Sequence, residues 1–191
     1  MSLQYIILGL LKNAGSLSGY DLKQIIDRST SNFWYCDLSQ IYRALNAIEK
    51  AEWVTSTANE SNKRHRITYS LTEQGEIALQ NWLEEDIEYD LIRQPELARF
   101  FFGKYIPPER LRQQLIAHRT HAESRLSRYL QIKAEIESSR NKAPEDVPYW
   151  IMTVQRGILD TKASIEWCDD ALEQLEKLAQ QAKRTQGESC R

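Results

Sequence analysis

Ser39, Arg43, Asn46 and Lys50 recur at helical spacing and fall on one side of a helix turning about 100° per residue. Gln40 and Tyr42 stand on the flanks of that side. A guanidinium can donate two parallel hydrogen bonds to guanine, and the amides of Asn and Gln can pair with adenine. Ser and Tyr hydroxyls more often reach phosphate. Downstream, Lys63, Arg64, His65 and Arg66 make a run of three cations and an imidazole. On a hairpin tip such a run suits phosphates or a minor groove; elsewhere it is a solvated charge run. The polar helix face has the same plain alternative, an ordinary surface in water. His65 reads as a companion of the cations and not as a metal ligand.

The neighbouring residues supply the elements that would hold these groups. Ile41, Ala44, Leu45 and Ile48 lie opposite the polar face and turn to a core, and Asp37 with Gln40 three residues on resembles a capping box opening that helix. Trp53 to Thr55 and Ile67 to Tyr69, with Leu71, have β-forming character, and the polar stretch between them is a hairpin connection or a loop. Upstream, Leu3, Ile6, Ile7, Leu10 and Leu11 predict a first helix that Asn13, Gly15 and Ser16 break. Ser18 and Asp21 predict a cap for a second, with Leu22, Ile25 and Ile26 as its buried stripe. A polar-faced third helix followed by a basic hairpin is the outline of a winged helix-turn-helix.

After Thr72, a plausible N-cap, a fourth helix runs through Ile77, Leu79, Trp82 and Leu83 into the acidic stretch Glu84 to Asp90. That stretch reads as a solvated linker, which divides the chain into a winged-helix domain at 1–83 and a helical domain at 84–191. Leu97, Phe100, Phe101 and Phe102 predict a short buried helix, and Pro107 and Pro108 stop it and start another. Two long amphipathic helices follow, separated by a polar loop from Ser138 to Pro148. Their stripes carry Leu111, Leu115 and Leu126 in the first and Ile165, Leu172 and Leu175 in the second, and these six are the expected homodimer contacts. A hairpin closed within one chain is the alternative. His118 and His121 have only Glu123 nearby and predict no metal site.

Composition sets bounds. With 41% hydrophobic residues, 7 Gly and 5 Pro in 191 positions, the chain can bury a real core and should be mainly helical. The apolar run at the N-terminus is too short to span a bilayer and has no Lys or Arg before it, so neither a signal peptide nor a membrane helix is expected, and a cytoplasmic location is. Three widely spaced cysteines fit reduced thiols. No phosphate-binding glycine loop, paired-cysteine motif or framed nucleophile is present, so neither an enzyme nor a bound cofactor is expected. Residues 1–83 hold eight Lys and Arg against eight Asp and Glu. Affinity for DNA must therefore come from local placement of cations and from doubling it in a dimer. The same neutrality keeps open a winged-helix scaffold that binds protein only.

ILGLL at 7–11, GYDLK at 19–23, FW at 33–34, IYRAL at 41–45 and YSLTEQG at 69–75 resemble, in order and spacing, the winged-helix domain of PadR-family transcriptional regulators. FFG at 101–103 and RGILDTKASIEW at 156–167 resemble the long C-terminal domain of the larger PadR subfamily, shared with virulence activators. The resemblance implies a mainly α protein with a winged helix-turn-helix and an α-helical dimerisation domain. It implies a homodimer on near-palindromic double-stranded DNA, usually a repressor, with activation in the virulence-activator branch. It makes the helix around IYRAL the recognition helix, gives Ser39 and Tyr42 backbone-contacting roles, and makes Lys63, Arg64 and Arg66 wing contacts. Family wings often carry Gly and Pro before the second strand, whereas this tip reads Ala58-Asn59-Glu60-Ser61-Asn62. Resembling members include repressors released by small aromatic acids or other planar compounds. Here Trp82, Phe101, Phe102, Tyr149 and Trp150 are the aromatic candidates for such an effector, with core packing as their plainer role.

Overall fold

Helix α1, Ser2–Ala14, presents Ile7, Leu8 and Leu11 to the core and ends where Gly15 turns into the left-handed region at φ +79°. The computed structural model describes residues 2–31, 33–59, 66–87, 94–139 and 143–188, in two compact units, Met1–Asp90 and Leu91–Arg191. A two-residue strand β1, Leu17–Ser18, follows α1 and leads straight into α2, Gly19–Arg28. Sequence periodicity gives no sign of β1, because two residues cannot alternate. The capping box expected at the start of α2 is present: the Ser18 hydroxyl accepts from the Asp21 amide, and the Asp21 carboxylate accepts from the Ser18 amide at 2.9 Å.

Helix α3, Leu38–Lys50, buries all four residues expected of it, Ile41, Ala44, Leu45 and Ile48. Its end is a Schellman turn, with Trp53 N–H donating to Ile48 C=O and Glu52 N–H to Glu49 C=O, both at 2.9 Å. The left-handed position in that turn, φ 61°, is filled by Glu52 where glycine is usual. Strands β2, Val54–Asn59, and β3, Arg66–Leu71, pair antiparallel from Val54↔Leu71 to Asn59↔Arg66. Strand β1 adds to the other side of β3 through Leu17↔Tyr69 and Ser18↔Thr68, giving the order β1-β3-β2.

Helix α4, Glu73–Glu84, is capped by Thr72, as expected. The Thr72 hydroxyl accepts from Gly75 N–H at 3.0 Å and donates to the Glu52 carbonyl at 2.7 Å, which ties the start of α4 to the end of α3. A Cβ at position 75 would lie 2.0 Å from the Trp53 carbonyl oxygen, so the glycine of TEQG is a steric requirement. The core of this unit joins α1, α2, α3, the sheet and α4, and Tyr5 stacks on Trp82 with centroids 4.7 Å apart. Three helices and a β2–β3 hairpin in this order are a winged helix-turn-helix.

In the second unit, α5, Pro95–Phe101, buries no residue. The short buried helix expected at 97–102 is thus corrected: Phe101 is 82% exposed and Phe102 57%, because three consecutive rings on so short a helix point in different directions. Phe100 meets Trp167 edge-on at 5.2 Å, while Phe101 and Phe102 meet each other edge-on at 5.0 Å. A 3₁₀ turn at Gly103–Tyr105 precedes α6, Pro108–Ser138, which begins at the proline as expected. Helices α6 and α7, Val147–Glu188, pack antiparallel. Leu111, Leu115, Ala122 and Tyr129 of α6 and Val147, Val154, Ile158, Thr161 and Cys168 of α7 are buried at spacings of three, four and seven, the pattern of a coiled-coil seam. A Cβ at Gly157 would fall 2.6 Å from the Tyr129 ring, so this glycine lets the two helices approach.

Of the six expected dimer contacts, Leu111 and Leu115 are 5% and 0% exposed within one chain. Leu126, Ile165, Leu172 and Leu175 are only half-buried.

Candidate nucleic-acid interface

The capping box at the start of α3 organises the face that matters. Asp37 accepts from Gln40 N–H at 2.7 Å and from the Ser39 hydroxyl at 2.6 Å, while its own N–H donates to Gln40 Oε1 at 2.8 Å. The Ser39 hydroxyl, then the Gln40 amide, hold the Asp37 carboxyl below the usual carboxylate range. Two of the expected site residues are therefore engaged in the cap. Ser39 keeps its lone pairs as acceptors, and Gln40 has committed its carbonyl oxygen and keeps its amide N–H groups.

Ser39, Gln40, Tyr42, Arg43, Asn46 and Lys50 are all exposed, so α3 gathers the six on its solvent side as the helical spacing predicts. Tyr42 reaches across to α2. A Cβ added to Gly19, the first residue of α2, would meet the Tyr42 ring at 2.7 Å, so the ring lies over the start of α2. The glycine of GYDLK and the tyrosine of IYRAL form one contact between the two helices of the helix-turn-helix.

Lys63 and Arg64, expected at the wing tip, lie outside the described residues, as does His65. Arg66 is described. It is the outermost described residue of β3, and its guanidinium donates to both carboxylate oxygens of Asp21. Partial burial acts to raise the Asp21 pKa, but the Ser18 amide and hydroxyl and the Arg66 guanidinium outweigh it and leave the carboxyl below its ordinary range.

Exposed aromatics are what the sequence does not disclose. Tyr20 on α2, and Phe33 and Tyr35 ahead of the α3 cap, all face solvent, with Tyr35 78% exposed. The Lys23 ammonium lies 5.9 Å from the centroid of the Tyr35 ring and pairs with Asp27. Of the run FWYC at 33–36, only Cys36 is fully buried. Burial pushes the Cys36 thiol up, so it stays protonated near neutrality.

The effector candidates fall in both units. Trp82 has one face of its ring taken by Tyr5 and is assigned to packing. Phe101, Phe102, Tyr149 and Trp150 are exposed. Among the described residues, no group of three or more His, Cys, Asp and Glu is placed to hold a metal, and no helix is long and apolar enough to cross a membrane.

Comparison with known proteins gives this architecture a family. The transcriptional regulator PadR-like family matches residues 7–81, and the virulence activator alpha C-terminal family matches residues 92–176. Over 188 residues the chain is 24% identical to the Mycobacterium tuberculosis protein named Probable transcriptional regulator Rv1176c, covering 93% of this chain and 99% of that one. Among solved structures, Bacillus subtilis PadR in complex with operator DNA superposes with a TM-score of 0.80 at 21% identity, over 91% of this chain and 97% of that one. The same protein in complex with p-coumaric acid gives 0.73, at 21% identity and over 92% and 99% of the two chains. The Vibrio cholerae virulence activator AphA gives 0.75 at 24% identity, over 92% and 99%. The structural likenesses speak for the fold, and the two family matches between them take in most of the chain. The winged helix-turn-helix with its capped, polar-faced α3 is accordingly a DNA-binding unit, and the chain belongs to the PadR-like transcriptional regulators, with a C-terminal half of the virulence activator alpha type.

Proposed function

We propose that the chain is a homodimeric repressor that reads a near-palindromic operator by inserting α3 of each protomer into successive major grooves. The observation that carries this is the exposed face of α3, which presents Arg43, Asn46 and Lys50 outward from a helix whose other side is sealed in the core. Arg43 and Asn46 are assigned to base edges, Lys50, Ser39 and Tyr42 to phosphates, and Gln40 to the flank through its amide N–H groups. Lys63 and Arg64 are assigned to phosphates beside the groove. Support for a partner copy comes from the second unit, where Leu130, Met152, Leu159 and Leu178 are exposed beyond the seam that α6 and α7 share.

The p-coumaric acid complex of the Bacillus PadR supports a planar aromatic effector, for which Phe101, Phe102, Tyr149 and Trp150 supply stacking surfaces. Such a compound acts only if it binds the free and DNA-bound forms with different affinity.

The test is selection of bound duplexes from a random pool. An enriched inverted repeat with half-site centres about 10 base pairs apart, or a multiple of that, supports the reading. A pool without enrichment contradicts it. The match of residues 92–176 to the virulence activator family favours a second reading, activation of transcription. Transcription in vitro from a promoter carrying the selected site separates the two by its sign.

A further inference from the structure

Arg66 opens β3, the last described residue before the hairpin connection on that strand, and a cation there would ordinarily be counted with the phosphate contacts. Its guanidinium is instead gripped by both oxygens of Asp21. The same carboxylate accepts from the Ser18 amide at 2.9 Å and the Ser18 hydroxyl at 2.7 Å, and Ser18 itself pairs with Thr68 two residues along β3. One carboxylate thus joins the cap of α2, the short strand β1 and the outermost described residue of β3. A single guanidinium nitrogen, Nη2, meets both carboxylate oxygens, a charge-assisted contact that ties the end of the Arg66 side chain to Asp21.

The hairpin needs such a fixing point. Strand β1 supports β3 at only two positions, Leu17↔Tyr69 and Ser18↔Thr68, so beyond Thr68 the hairpin has no third strand beside it among the described residues. Arg66 lies two residues past Thr68, so the contact with Asp21 ties the last described position of β3 to the body of the unit. Asp21 also has an electrostatic cost in a DNA-binding unit, since a carboxylate near a helix start repels phosphate.

We infer that Asp21 is a positioning residue for the wing: its grip on Arg66 aims the hairpin, and Arg66 is a strut and not a phosphate ligand. This rests on the DNA-binding reading above. It predicts an effect of opposite sign to simple electrostatics. Neutralising Asp21 removes a negative charge and releases a cation, which would tighten DNA binding if charge alone mattered. A wing no longer aimed weakens it.

The experiment measures binding of full-length protein to the selected operator and to a random duplex, with phosphate ethylation interference to map where the protein touches the DNA backbone. Asp21→Asn retains an acceptor for the Ser18 amide. It should weaken operator binding roughly tenfold, about the worth of one charge-assisted hydrogen bond, and erase interference at the wing phosphates while the α3 sequence preference remains. Arg66→Lys keeps the charge but ends one atom short of the Nη2 position, and Arg66→Gln keeps neither charge nor reach, and both leave the Ser18–Asp21 cap intact. Both should reproduce the same pattern. Operator affinity equal to the parent's in Arg66→Lys, or tighter binding by Asp21→Asn, would overturn the inference. If Asp21→Asn lowers Tm into the assay range, the two Arg66 variants decide alone. Parent protein that binds no duplex would instead overturn the DNA reading itself, so the two failures are distinguishable.

Discussion

At the scale of single residues, three glycines and one glutamate explain why short motifs recur where they do. Gly75 has no room for a side chain, because the Trp53 carbonyl occupies the place of its Cβ. Gly75→Ala should destabilise the N-terminal unit at the upper end of the roughly 1 to 3 kcal/mol of overpacked sites or beyond, read as a fall in urea midpoint. Gly19 bears the Tyr42 ring, and Gly157 bears the Tyr129 ring. Gly19→Ala should displace Tyr42 and weaken DNA binding with little loss of fold, since a ring on the surface can move aside. Glu52 sits in a left-handed conformation that costs about 1 to 2 kcal/mol for a residue with a Cβ. Glu52→Gly should raise Tm; an unchanged or lower Tm would show that the Schellman turn holds no such strain.

At the scale of elements, the helix starts carry a pH dependence. Asp21 and Asp37 both have folded pKa values below their ordinary range. Their contribution to stability is complete above the unfolded carboxylate pKa, about 3.9, and is lost as pH falls through the lower folded values. Unfolding followed at several pH values below about 5 should show a decline in the parent that is shallower in Asp37→Asn. The helix starts are also the most legible part of the sequence. Ser18–Asp21, Asp37–Gln40, Thr72 and Pro108 each announce a helix through local hydrogen bonding or backbone restriction, and the structure has a helix at each. The core face of α3 is equally plain, because helical spacing separates its apolar and polar residues completely. What stays hidden depends on neighbours distant in sequence. Strand β1 exists only by pairing with β3, the Asp21–Arg66 pair spans 45 positions, and the exposure of Tyr35 and Phe101 follows from what other elements leave uncovered. Apolar character alone assigns Phe101 to a core and Leu111 to a partner, whereas Phe101 is exposed and Leu111 is buried within the chain.

At the scale of the whole molecule, the neutral balance of residues 1–83 has a structural counterpart. Lys12, Lys23 and Arg66 are each paired with a carboxylate in the same unit, Glu76, Asp27 and Asp21. Lys63→Ala at the wing should weaken binding to all sequences alike and lower the salt slope by roughly 1 for each phosphate it no longer neutralises. Dimerisation is assigned to the half-buried positions of α7. Asp at both Leu172 and Leu175 should split the dimer in sedimentation while the N-terminal unit stays folded. A double variant that remains dimeric with full operator affinity would return those residues to packing within one chain.

The central claim, that two copies of α3 read a symmetric site, is tested most directly by selecting duplexes from a random pool with the parent protein and with Arg43→Ala side by side. Arg43 is the strongest base reader on the face, so its removal should cost about 1 to 3 kcal/mol on the parent's site. The predicted result is an inverted repeat for the parent, and for the variant the same repeat with preference relaxed at one or two base pairs in each half-site, symmetrically. An identical motif from both proteins, or a parent motif without two-fold symmetry, would contradict the account.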